Sequence, residues 1–290
     1  MYNRRNFLKT TSALASGLLI SRSAFSMGEG FEPSGSIKNF GLQLYSLRDD
    51  LPKDPKGVLK QVAAMGYKQV ESYEGKQGMF WGMTNKEFKK YMDDLGLTIL
   101  SSHCDINKDF EKKAAEAGEI GMKYLICPHL GVQKTIEDFK RSAEKFNTLG
   151  DICRKNGLKF AYHNHGYSFT ELEGQMPQDI LMESTKPELV DFEMDIYWVV
   201  TAGADPIAWM NKYPGRFKLC HVKDRQKGAD PKNTDASVDL GAGGIDFKKI
   251  LKEGSTKGFE YYIVEQERYD NSTPLKSAEV DAAYMKKFKM

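Results

Sequence analysis

From Asn39 to the end of the chain, short runs of β-branched or aromatic residues alternate with longer stretches in which apolar side chains recur every three to four positions. The short runs predict eight strands: Phe40–Tyr45, Gln69–Tyr73, Thr98–His103, Tyr124–Pro128, Lys159–His165, Val190–Asp195, Phe217–Lys223 and Tyr261–Glu265. The spacing between them predicts helices, among them Lys56–Met65, Asn85–Leu95, Phe110–Ala117 and Ile136–Asn156. Gly66, Gly96, Gly121, Gly157 and Gly258 fall at helix-to-strand turns, where a left-handed residue closes the last helical turn. Eight strand–helix units predict an α/β fold, a single (β/α)8 TIM barrel over residues 39–290. A doubly wound open sheet, the competing architecture, runs out of strands sooner. No G-x-G-x-x-G follows the first strand, and no phosphate-loop motif occurs. Gly241-Ala-Gly-Gly244 reads as a loop opening the next helix, which either touches a ligand or simply turns.

The first 26 residues do not fit the alternation. Arg4-Arg5-Asn6-Phe7-Leu8-Lys9 precedes an apolar run of about ten small and aliphatic residues, and Ala24-Phe25-Ser26 resembles a cleavage site. This is the pattern of a secretory signal of the twin-arginine type, too short to span the roughly 30 Å of a bilayer's hydrocarbon core. The chain is therefore expected to use the twin-arginine export machinery and to be periplasmic, or membrane-tethered where the signal is retained. Residues 27–38 read as a linker.

Composition narrows the classes. Of 290 residues, 40% are hydrophobic and 28% charged, ordinary for a globular protein. Arg4, Arg5, Lys9 and Arg22 are the only charges of the signal, so its removal takes the formal net charge from +2 to −2. Such a surface gives no footprint for nucleic acid. Cys104, Cys127, Cys153 and Cys220 form no C-x-x-C pair, and a chain of this length can bury a core without disulfides, so free buried thiols are expected.

All five histidines, His103, His129, His163, His165 and His221, fall at or just past the C-terminal ends of predicted strands. In a barrel that end collects the reacting groups. Asp195 and Glu265 end apolar strands, where a carboxylate must be paired or metal-bound. His163, Asp195, His221 and Glu265 thus come from strands five to eight and are the candidate metal ligands, a donor set that suits zinc, manganese or ferrous iron. Residues two apart on a strand share a face. His165 then accompanies His163, and Lys223 accompanies His221, as candidates for proton transfer, the lysine with a pKa lowered by a nearby dication or else paired with Asp224 or another carboxylate. Gln43, Tyr45, Glu71, His103 and His129 are polar groups suited to sugar hydroxyls, and Trp198 either stacks on a sugar ring or packs in the core. Met79-Phe80-Trp81-Gly82-Met83 is an apolar insert that lines the pocket mouth or covers the barrel.

Tyr162-His-Asn-His165, Glu193-Met-Asp-Ile-Tyr-Trp198, His221-Val-Lys-Asp224 and Ile263-Val-Glu-Gln-Glu267 resemble the xylose isomerase-like barrels of the sugar phosphate isomerase/epimerase family. The resemblance runs from Phe40 to the end. It implies a divalent cation held by strands five to eight, with Glu265 as a catalytic carboxylate as well as a ligand. Here His163 stands where the family's first ligand is Glu, which removes one of the two carboxylate bases of ketose epimerases. Exported, histidine-substituted members resemble proteins that cleave 3-keto-glycosides. The expected cofactor is one divalent ion, manganese, zinc or cobalt, and the expected substrate a small sugar or glycoside. The expected reaction is proton abstraction beside a carbonyl followed by β-elimination; sugar isomerisation or epimerisation and a non-catalytic sugar-binding barrel are the alternatives. An oligomer is compatible with the sequence.

Overall fold

A computed structural model describes residues 35–131 and 133–290; the expected signal and the linker up to residue 34 lie outside the described residues. Eight parallel strands close into a barrel in the order 1-8-7-6-5-4-3-2. They are β1 (Gly41–Gln43), β2 (Gln69–Tyr73), β3 (Thr98–His103), β4 (Tyr124–Cys127), β5 (Lys159–His163), β6 (Val190–Asp195), β7 (Phe217–Val222) and β8 (Tyr261–Val264). The expected strands are all present. Four of them stop one or two residues early because the chain turns at the barrel rim, and β1 stops where Leu44–Leu47 winds into a 3-10 helix.

The helices start where the local chemistry demands. Thr84 and Thr135 each form a capping box, with Glu87 and Asp138 three residues on. Gly66 ends helix Pro55–Met65 at φ 97°, a conformation that glycine adopts without strain. Outside the barrel one large apolar cluster joins the strands to the helices. Inside it, Leu100, Tyr124, Ile126, Ala161, Leu219 and Ile263 form a separate apolar plug. Ala161, Leu219 and Ile263 lie two positions before His163, His221 and Glu265, so each site residue stands one layer above the plug. All four cysteines are buried and free.

Two register shifts interrupt the barrel: Val70 and Glu71 of β2 face Ile99 and Ser101 of β3, and Phe192 and Glu193 of β6 face Phe217 and Leu219 of β7, so the extra residues, Leu100 and Lys218, lie on β3 and β7. Each shift falls opposite a fully buried glutamate, Glu71 and Glu193. Among the described residues, no helix is long and apolar enough to cross a membrane.

Candidate active site

Ligand atoms of His163, Asp195, His221 and Glu265 all lie within 4.8 Å of one another. His221 Nδ1 is 3.2 Å from His163 Nε2, 3.2 Å from Glu265 Oε2 and 3.8 Å from Asp195 Oδ2. His163 Nε2 is 3.4 Å from Asp195 Oδ2. These are the edge lengths of a polyhedron around a small cation whose ligands sit about 2.0–2.2 Å from it. Asp195 Oδ2 is buried with no hydrogen-bond partner, an orphan that a cation would satisfy. Its other oxygen, Oδ1, accepts from Trp198 N at 3.0 Å and caps helix Ile196–Thr201, which fixes the carboxylate's direction.

The surrounding shell sets which nitrogen faces the centre. His163 Nδ1 lies 3.2 Å from the Pro128 carbonyl, leaving Nε2 for the cluster. His221 Nε2 lies 2.7 Å from Glu71 Oε1, leaving Nδ1. These residues therefore fit a divalent metal.

Beneath the cluster sits a polar layer that the sequence reading placed differently. Gln43 and Glu71, expected to meet sugar hydroxyls, are fully buried and do not line the pocket. Glu71 accepts from Gln43 Nε2 at 2.7 Å and Ser101 Oγ at 2.6 Å, so its oxygens are committed to the protein. His103 borders the pocket, yet its Nε2 is turned onto Glu193 at 2.9 Å and Glu71 at 3.2 Å. Burial alone would lower the His103 pKa, but these two carboxylates outweigh it and raise it to about 9. Glu193 was missed as a site residue. It precedes Asp195 by two on the same strand, a signal that period-two alternation offered.

Above the cluster is a pocket of about 340 Å3. His165 and Trp198 form one wall, their rings 5.1 Å apart, with His129 4.8 Å from His165. Trp198 thus takes the pocket-lining place rather than a core one. His165 follows β5 instead of belonging to it, and its ring still comes within 5.0 Å of His163. Burial, with His163 adding to it, pushes the His165 pKa down to about 2 and keeps the ring neutral. Tyr45 stands at the opposite rim, 40% exposed, carried there by the 3-10 turn rather than by strand alternation from Gln43. Trp81, from the apolar insert, packs its ring 4.9 Å from Tyr73 and donates to Ser72 Oγ, so the insert covers the barrel wall.

Lys223 is buried, with Nζ 3.3 Å from Glu265 Oε2 and 2.5 Å from Glu267 Oε1. Of the two expectations for Lys223, the ion pair with a carboxylate is the one seen, with Glu265 and Glu267 as partners. Burial would lower its pKa, but Glu265, Glu267 and Asp195 outweigh it and raise it. Asp224 is not a partner: its carboxylate accepts N–H bonds from Gly241, Gly243 and Ile245. That settles the glycine loop: it wraps Asp224. Glu267 borders the pocket and was also missed, because it lies three residues past the strand end, where alternation no longer predicts direction.

Residues 59–288 match the family described as the xylose isomerase-like TIM barrel. Inosose dehydratase from Lacticaseibacillus casei is 30% identical over 148 residues, 47% of this chain and 49% of that protein. The chain spans about half the length of the curated relatives it matches. A crystal structure of a sugar phosphate isomerase/epimerase from Parabacteroides distasonis ATCC 8503 superposes with a TM-score of 0.75 at 30% identity, covering 87% of this chain and 98% of that one. The IOLI protein, crystallised with a zinc atom, shares the fold at 16% identity with a TM-score of 0.71, covering 85% of this chain and 96% of that one. The chain belongs to the xylose isomerase-like TIM barrel family.

Proposed function

We propose that the protein is a divalent-metal-dependent sugar lyase that removes a proton beside a ketone and expels the group on the next carbon. The observation that carries this reading is the convergence of His163, Asp195, His221 and Glu265 under a pocket, with Asp195 Oδ2 left unpaired at its floor. The inosose dehydratase relatives and the zinc atom in the IOLI structure support it. A divalent ion bound there supplies Lewis-acid polarisation of a ketone oxygen.

The chain's own groups divide the proton work. His165 lines the pocket next to His163, where its ring is placed to accept a proton from the carbon beside the ketone. Lys223 holds its positive charge against Glu265 and Glu267, where it stabilises negative charge developing over the cluster. Trp198 offers a flat apolar face to the sugar ring. The acid that protonates the leaving oxygen belongs to this same set, with Glu267 at the pocket edge.

The test is solvent-deuterium incorporation into a panel of keto sugars and 3-keto-glycosides. Deuterium at the carbon beside the ketone, together with release of the aglycone, is the expected result. An isomerase or epimerase is the second reading, favoured by the name of the Parabacteroides distasonis relative. A stereoinverted or carbonyl-shifted sugar as the sole product would select it. No exchange with any sugar would leave a non-catalytic sugar-binding barrel. The twin-arginine-like pattern of residues 1–26 supports a further part of this proposal, export to the periplasm.

A further inference from the structure

Two aromatic groups face each other across the barrel mouth. In a closed eight-stranded barrel β1 and β2 lie opposite β5 and β6. His165 and Trp198 follow β5 and β6, on the side of the ligand cluster. Tyr45 and Tyr73 belong to the β1 and β2 side, their rings 5.2 Å apart and edge to face. Both pairs line one continuous pocket. Tyr45 is one of only two large hydrophobic side chains exposed among the described residues. Arg48 braces it from behind, 4.8 Å from the ring, with its donors spent on the Tyr45 and Glu267 carbonyls and the Tyr269 hydroxyl. An aromatic side chain held out over a pocket, away from the core, is a platform for a ring.

The charge of the pocket says what kind of ring. Four carboxylates line it, Glu74, Asp105, Glu265 and Glu267, and no arginine or lysine does among the described residues. Of the nearest cations, Lys113 is bound to Glu74, Lys223 to Glu265 and Glu267, and Arg48, beside Tyr45, gives N–H groups to two carbonyls and the Tyr269 hydroxyl. A phosphate or carboxylate on the ligand would meet like charges, with no lysine or arginine among the described residues of the pocket lining.

We propose that Tyr45 and Tyr73 form a second subsite that seats the leaving ring of an uncharged two-ring glycoside, whose reacting sugar lies over the ligand cluster against Trp198. This rests on the lyase reading above and adds to it the substrate class and a specificity residue. Phosphorylated sugars are excluded from the site even though a relative is named for them.

The experiment measures the apparent KM for solvent-deuterium exchange on the metal-loaded protein with three probes: 3-keto-glucose, 3-keto-sucrose and 3-keto-glucose 6-phosphate. The keto-disaccharide should have the lowest KM, and the phosphate a KM at least about tenfold above that of its unphosphorylated parent. Tyr45→Ala should raise the disaccharide KM roughly three- to tenfold, the size of one lost ring contact, and leave the monosaccharide KM unchanged. Tyr45→Phe should behave as wild type, because the ring and not the hydroxyl is used. Equal KM values for one and two rings, equal effects of Tyr45→Ala on both, or preference for the phosphate would overturn the subsite while exchange itself upholds the lyase reading. Absence of exchange with all three would overturn both.

Discussion

His221 places Nε2 2.7 Å from Glu71 Oε1, with Glu193 Oε2 at 3.3 Å, which leaves Nδ1 as the nitrogen presented to Asp195, His163 and Glu265. Burial alone would discourage protonation of His221, but Glu193 and Glu265 outweigh it and raise its pKa. Glu71 is therefore a positioning residue for the ligand set. Glu71→Gln should weaken metal binding about 10–100-fold with the fold intact, as other outer-sphere changes do. Competition with a chromophoric chelator measures this, and an unchanged affinity would show that the contact does not orient the ligand.

His165 and Lys223 should separate cleanly. His165→Ala keeps all four ligands and should lower turnover about 10²–10⁴-fold while metal content stays the same. Lys223→Met should lower turnover too, and also destabilise the fold by roughly 3 kcal/mol, since it leaves two carboxylates facing each other without their cation. Chemical denaturation with parallel exchange assays reads both. Full exchange by His165→Ala would remove it from the proton path.

His103 gives the chelator-treated protein a pH signature. Its folded pKa of about 9 lies above the ordinary value of 6.5, so protonation stabilises the fold. That contribution is complete below pH 6.5 and is lost as pH rises toward about 9. The melting temperature should fall across this window, and His103→Asn should flatten the fall. Identical slopes for the two proteins would contradict the ion pairing of His103 with Glu71 and Glu193.

The barrel should not need residues 1–34. A chain starting at Gly35 should show the same thermal transition as the full chain, because the strand closure and apolar plug lie wholly within residues 41–264. Loss of folding on truncation would show that residues 1–34 take part in the fold. Arg4 and Arg5 changed to Lys should hold the protein in the cytoplasm, read by fractionation.

What the sequence revealed and what it hid have the same physical cause. Strand interiors obey period two, so β2, β3 and β6 were legible to the residue, and His163, Asp195, His221 and Glu265 could be aligned on one rim. The glycines at helix ends were legible because their positive φ restricts the residue type. Alternation gives a face but not a depth: Glu71 and Glu193 point inward yet lie in the layer beneath the pocket, and beyond strand ends alternation fails, as where Tyr45 reaches the rim on a 3-10 turn. Lys223 pairs with a carboxylate as one expectation had it, but its shortest contact is to Glu267, 44 residues away, which no local pattern connects to it.

The central claim is that one divalent ion is held by four named side chains. Elemental analysis of the purified protein beside Asp195→Asn, His221→Ala and Glu265→Gln tests it directly. The account predicts about one zinc, manganese or cobalt per chain in the wild type and strong depletion in each variant, all three remaining folded. A wild-type protein free of metal yet fully active, or variants that keep their metal, would contradict it.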